Sequence, residues 1–157
     1  MSVPVQSAPL MRFAPWWAGP IFAVAAVALI PWITYLGVTL PSTTVISEKT
    51  AWVGFDIGLM GLLALTAVLA LRHNARVAQA SMATATMFFV DAWFDIFTSH
   101  GGAALTQALQ LAVLEVTMAG VCVWISLRAS AAARREAIVP APQSDPGTEN
   151  RSPASHD

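Results

Sequence analysis

Residues 51–71 read AWVGFDIGLMGLLALTAVLAL, with Asp56 as the only charge. A helix crosses a bilayer core of about 30 Å in about 20 apolar residues, so this stretch is long enough for one complete span. Working outward, the sequence repeats the pattern. Arg72-His73-Asn74-Ala75-Arg76 closes the stretch, and a second apolar run continues from Val77 to Thr98 with Asp91 and Asp95 inside it. Ser99-His100-Gly101-Gly102 follows as a turn, because paired glycines are poor helix formers and tolerate positive φ. Ala103 to Leu127 is a third such run, with Glu115 as its only charge. Upstream, no charge occurs between Arg12 and Glu48, and a run from Trp17 to Thr39 is apolar throughout. Pro31 inside it removes a backbone donor and predicts a kink. This first run is too long for a secretory signal peptide, and no small-residue cleavage site follows it.

The expected fold is therefore all-α: a four-helix transmembrane bundle with spans at about 17–39, 51–71, 77–98 and 103–127. A short segment, 1–16, precedes it. A basic helical extension, 128–139, and a Pro-, Ser- and Asp-containing disordered tail, 140–157, follow. Composition agrees. Of 157 residues, 56% are hydrophobic and 11% charged, against roughly 25% charged in a soluble domain, and the mean hydropathy is +0.62. That excludes an ordinary soluble enzyme. Eight Lys and Arg residues form no basic stripe, so no nucleic-acid partner is expected. The single cysteine, Cys122, excludes an intramolecular disulfide.

Basic residues set the orientation. Arg12, Arg72, Arg76, Arg128, Arg134 and Arg135 fall on one side of such a bundle and Lys49 on the other, which places the N- and C-termini in the cytoplasm. Trp16, Trp17 and Trp124 fit the inner interface and Trp52 the outer one.

Four carboxylates lie within spans, and no Lys or Arg does. A charge at the bilayer centre costs at least about 2.5–3.5 kcal/mol on insertion scales. Without basic partners at the same depth, these acids must be protonated, hydrogen-bonded, hydrated or bound to a cation. At about 1.5 Å per residue from the outer ends, Asp95 lies about 5 Å deep, Asp56 about 8 Å, Asp91 about 10 Å and Glu115 about 18 Å. The expectation is a shared pocket opening outward, with His100 at its mouth. Thr84, Asp91, Asp95 and Thr98 share one stripe of the third span. On the fourth, Ala108, Ala112, Glu115, Ala119, Cys122 and Ser126 form a small-residue ridge suited to close helix packing. Gly54, Gly58 and Gly61 make a GxxxG-type surface about 200° from Asp56, which a second copy could use in a homodimer or a larger membrane complex.

Plainer readings compete with each of these. Intramembrane acids and threonines also serve as interhelical glue, Cys122 as packing, His100 as a solvated loop residue, and Trp52 and Trp93 as anchors. Asp91 and Asp95, at i and i+4, could hold a divalent metal as in large intramembrane prenyltransferases. Those enzymes carry a second acidic motif and many more spans, so no metal, no cofactor and no catalytic residue is assigned.

The segments Trp52-Val53-Gly54-Phe55-Asp56 and Asp91-Ala92-Trp93-Phe94-Asp95, followed by Glu115, resemble uncharacterised small four-span membrane proteins of actinobacteria. The resemblance covers about half the chain, Ala51 to Leu127. It implies a four-span fold and a bacterial plasma membrane, and no activity. Three functions are consistent with the residues: proton or cation binding for small-solute transport through Asp56, Asp91, Asp95 and Glu115; an accessory or scaffold subunit whose acids pair with a partner's basic residues; and a small lipid- or isoprenoid-modifying enzyme with Asp91 or Glu115 as general acid.

Overall fold

The computed structural model describes residues 13–39 and 46–138. Arg12, most of the N-terminal segment and the tail 140–157 lie outside the described residues. Within them the protein is all-α, with four helices: α1 (Ala18–Thr39), α2 (Ile46–Leu71), α3 (Val77–Thr98) and α4 (Gly102–Ile138). Three of these are long and apolar enough to cross a membrane: α1, the Thr50–Leu71 part of α2, and α4. The exception is α3. It has 22 residues, but Gln79, Asp91 and Asp95 dilute its apolar character. The second helix starts earlier than the apolar run does, since helical hydrogen bonding continues upstream of Ala51 to Ile46. The first passes Pro31 without a break.

Short links make neighbours in sequence neighbours in space. α3 packs most extensively on α4, α1 on α2, and α2 less broadly on α3. No Cα of α1 lies within 8 Å of one in α4, so the row of helices does not close into a ring at backbone level. At the end where Arg72, Arg76, Arg128 and Arg134 gather, side chains bridge that gap. Trp17 stacks on Trp124 with ring centres 6.1 Å apart and planes 7° apart, and the Arg128 guanidinium lies 5.3 Å from the centre of the Trp124 ring. Trp17 and Trp124 thus hold helices together, beyond any role as interface anchors.

The core sits mostly in this arginine half. Phe22, Val77, Cys122 and Ile125 are fully buried there, and Leu59 and Leu63 are fully buried nearer mid-helix. Small residues let the backbones approach: Ala108, Ala112, Ala119, Cys122 and Ser126 of α4 are all buried, as a small-residue packing ridge requires. Gly19 is the tight glycine. A Cβ there would come within 2.6 Å of the Leu71 side chain, so α1 and α2 cross closely at that point. The surface of Gly54, Gly58 and Gly61 is looser. Added Cβ atoms at Gly54 and Gly61 would meet nothing, and one at Gly58 would touch only Met87 at 3.7 Å. Beyond Ala26, no residue of α1 is fully buried, and the carboxylate half of the bundle stands open.

Two turns fix the register. Gly101 and Gly102 adopt φ of +82° and +59°, which an L side chain resists. At the other end α2 finishes with the Asn74 N–H donating to Leu69 O and the His73 N–H to Ala70 O, the paired bonds of a Schellman motif. His73 occupies the left-handed position with φ 49°, where glycine is the usual residue. His73→Gly should therefore raise unfolding stability by about 1 kcal/mol, read as a higher midpoint in detergent. An unchanged midpoint would contradict strain at that residue.

Candidate functional site

Along the open half runs a groove of about 560 Å³, walled by all four helices. α1 contributes Ala25, Ala28, Leu29 and Trp32; α2 contributes Trp52, Asp56, Leu59 and Leu63. α3 adds Phe88, Asp91 and Asp95, and α4 adds Leu111, Leu114, Glu115 and Met118. Asp56, Asp91, Asp95 and Glu115 thus come from three helices to one groove and lie within electrostatic reach of one another. Among the described residues, no Lys or Arg is in the lining.

Local structure explains how they arrive there. Asp91 and Asp95 are four residues apart on α3, hence on the same face. Ala92, on the buried side of α3, keeps that helix seated while the two acids point into the groove. Glu115 sits on the α4 ridge between Ala112 and Ala119, both buried, and its Oε2 is buried without a hydrogen-bond partner. Asp56 is the deepest of the four in protein, with 5% of its surface exposed. The Trp32 side chain of α1 stands beside it in the groove, with an indole N–H that can only donate. Trp52 meets Phe94 edge-on, with ring centres 6.3 Å apart, and braces the same end of the groove.

The remaining candidate residues are placed elsewhere. Thr84 belongs to the stripe of Asp91 and Asp95 but is fully buried below the groove, with its Oγ1 3.0 Å from that of Thr66. Thr98 is exposed and donates to its own helix at Phe94 O, 2.8 Å away. His100 is exposed and outside the lining, because the extended backbone of Ser99 (ψ 132°) turns the chain before it. Among the described residues no three His, Cys, Asp or Glu side chains form a group suited to a metal ion.

Trp32 and Thr66 were missed as polar partners in the sequence, although each carries a usable signal. A tryptophan in mid-span, next to Pro31, is out of place as an interface anchor. A lone threonine in the apolar run 57–71 needs a partner for its hydroxyl.

Chemically, the groove offers an anionic or proton-holding end and a long apolar wall. Carboxylates accept hydrogen bonds from cations, Trp32 and Trp52 offer π faces to them, and Leu29, Leu111, Leu114 and Met118 suit an apolar body. The chain matches no protein-family model, no curated protein and no solved structure.

Proposed function

We propose that this is a multi-pass protein of a bacterial plasma membrane, with four spans and cytoplasmic termini, whose groove binds protons and organic cations in the course of small-solute transport. Three apolar helices support membrane residence, and α3, held antiparallel between α2 and α4, serves as the fourth span. The arginines at one end support the orientation. The observation that carries the function is the convergence of Asp56, Asp91, Asp95 and Glu115 on one groove that, among the described residues, has no Lys or Arg in its lining. Acids kept in lipid without counter-charges are costly, and exchange between a proton and a cation gives each of them a partner in turn.

The ligand class follows from the wall. An amphiphilic organic cation satisfies the carboxylates with its head and Leu114 and Met118 with its body, whereas a hydrated metal ion satisfies only the former. Protein reconstituted in liposomes should accumulate ethidium when a pH gradient is imposed, and should leave sodium behind. Flux of neither under either gradient direction would end this reading.

A second reading draws on the separation of α1 and α4. A partner's helix bearing Arg or Lys fits such an opening, which makes the chain an accessory subunit. Purification in mild detergent would then recover a stoichiometric membrane partner.

A further inference from the structure

On α2, α3 and α4 the groove lining ends at Leu63, Phe88 and Met118, while on α1 it runs on through Val24 to Ile21. Below Phe88, toward the arginine end, the seam between α2, α3 and α4 is not uniformly apolar. Thr66, Ser81 and Thr84 have no exposed surface, and Ser126 has 5%. Thr84 stands one turn below Phe88. Its hydroxyl donates to Ala80 O at 2.9 Å, so the Thr66 hydroxyl, 3.0 Å away, donates to it. Ser81 follows three residues further along α3, and its Oγ is buried with no partner.

The antiparallel register carries the line onto α4. Asp91 and Glu115 share the groove, and Gln79 and Ser130 share a second cavity of about 350 Å³ at the arginine end, flanked by Arg76 and Arg134. Between those two fixed levels, Ser81 comes level with Ser126. Hydroxyl-bearing residues therefore occupy successive turns from the level of Phe88 to the arginine-end cavity, with steps of about 5–6 Å along the helix axes.

Thr66 ends in a bond to Thr84, and Thr84 in a bond to the Ala80 carbonyl that a turn of its hydroxyl releases. Ser81 has no such bond, and buried polar atoms are almost always paired with protein or with water. A water molecule in the seam at that level would supply the missing partner. We propose that Thr66, Thr84, Ser81 and Ser126, with water at Ser81, form a relay that moves protons between the groove carboxyls and the arginine-end cavity. The groove terminus of the relay rests on the carboxylate reading above; the seam itself does not.

The transfer balances at each step. A carboxylic acid in the groove gives its proton to water standing in the groove, which spans the two turns (about 10 Å) between Asp91 and Thr84, and becomes a carboxylate. The water oxygen releases its own hydrogen to the next, and the last proton leaves to water beside Gln79 and Ser130. Each hydroxyl ends neutral, with one hydrogen, and rotates to reset. Arg76 and Arg134 flank the exit and disfavour other cations there, which leaves the path to protons.

The test uses the full chain in vesicles of known orientation. The infrared carboxyl band is followed after a pH jump on one side only. In the wild type the groove carboxyls should respond to a jump at the arginine end. Ser81→Ala combined with Ser126→Ala should slow that response by about tenfold or more and leave the response to a jump at the carboxylate end unchanged. Thr84→Ser, which keeps a hydroxyl at that level, should respond like the wild type. Equal rates in the double variant and the wild type, or a wild type that responds from the carboxylate end alone, would overturn the relay. Carboxyls that respond from both ends in a protein that neither binds nor moves ethidium would uphold the relay and remove the cation reading.

Discussion

Asp56→Asn combined with Glu115→Gln should weaken ethidium binding by at least about 100-fold, titrated through the fluorescence of Trp32 and Trp52 in the groove. The amides keep the size of the acids, so the groove volume and the apolar wall are preserved. What disappears is charge. Hydrogen bonds to charged groups contribute about 1.5–3 kcal/mol each, and each tenfold in affinity is about 1.4 kcal/mol, so two such losses give about 100-fold or more. Asn at 56 keeps an acceptor oxygen beside the Trp32 indole. Asp91 and Asp95 remain to hold residual affinity. A loss below about tenfold would mean that the carboxylates do not face the ligand.

Phe22→Ala should lower unfolding stability in detergent or bicelles by about 2–3 kcal/mol. Phe22 has no exposed surface and is the largest fully buried side chain, packed in the arginine half where α1 lies against α2. In water the loss would combine a transfer penalty with a cavity penalty. Surrounded by lipid the transfer part vanishes, because acyl chains are as apolar as the core. The cavity part remains, at about 24 cal/mol per Å³ over a volume difference of about 100 Å³. Steric-trap or denaturant unfolding measures it. A loss below about 0.5 kcal/mol would place the anchoring of α1 elsewhere, at the Trp17–Trp124 stack.

These predictions concern different halves of one bundle, and the division explains the site. The arginine half is closed by Phe22, by Val77 and Ile125, and by an aromatic pair that bridges α1 and α4. The carboxylate half lacks such a closure. There α1 presents Ala25, Ala28 and Leu29, which reach no backbone across the gap, and a groove remains. A stable packed end beside an open end is a suitable scaffold for a binding site, since rigid helices aim the acids while the gap admits the ligand.

Much of the helical layout was legible from apolar run length. The runs ending at Thr39, Leu71 and Thr98 end their helices at those residues, because a Pro-, Gly- or Arg-marked link interrupts each run. The Gly101-Gly102 turn was legible for the same reason, as two adjacent residues without Cβ tolerate positive φ. The face of α4 was legible too, since Ala108, Ala112, Ala119 and Cys122 repeat at helical spacing. Position along a helix says less about what stands across from it. Thr84 shares a stripe with Asp91 but is paired with Thr66, and Thr98 bonds its own backbone. His100 follows an extended residue and leaves the groove. Gly19, isolated in sequence, is the described glycine held tightest against a neighbouring helix, while the conspicuous Gly54 and Gly61 face open space.

By itself, then, the sequence determined that the chain is helical, that its helices are long and apolar, and that four acids sit in apolar runs that hold no Lys or Arg. Run length, turn chemistry and charge placement are local properties, and local properties survive in a one-dimensional reading. Only the tertiary structure decided that α1 stands off from α4, that Trp32 stands beside Asp56, and that buried hydroxyls continue the line of the carboxylates. Those depend on rotation about each helix axis and on which helix lies opposite, and both are set by packing between residues far apart in the chain.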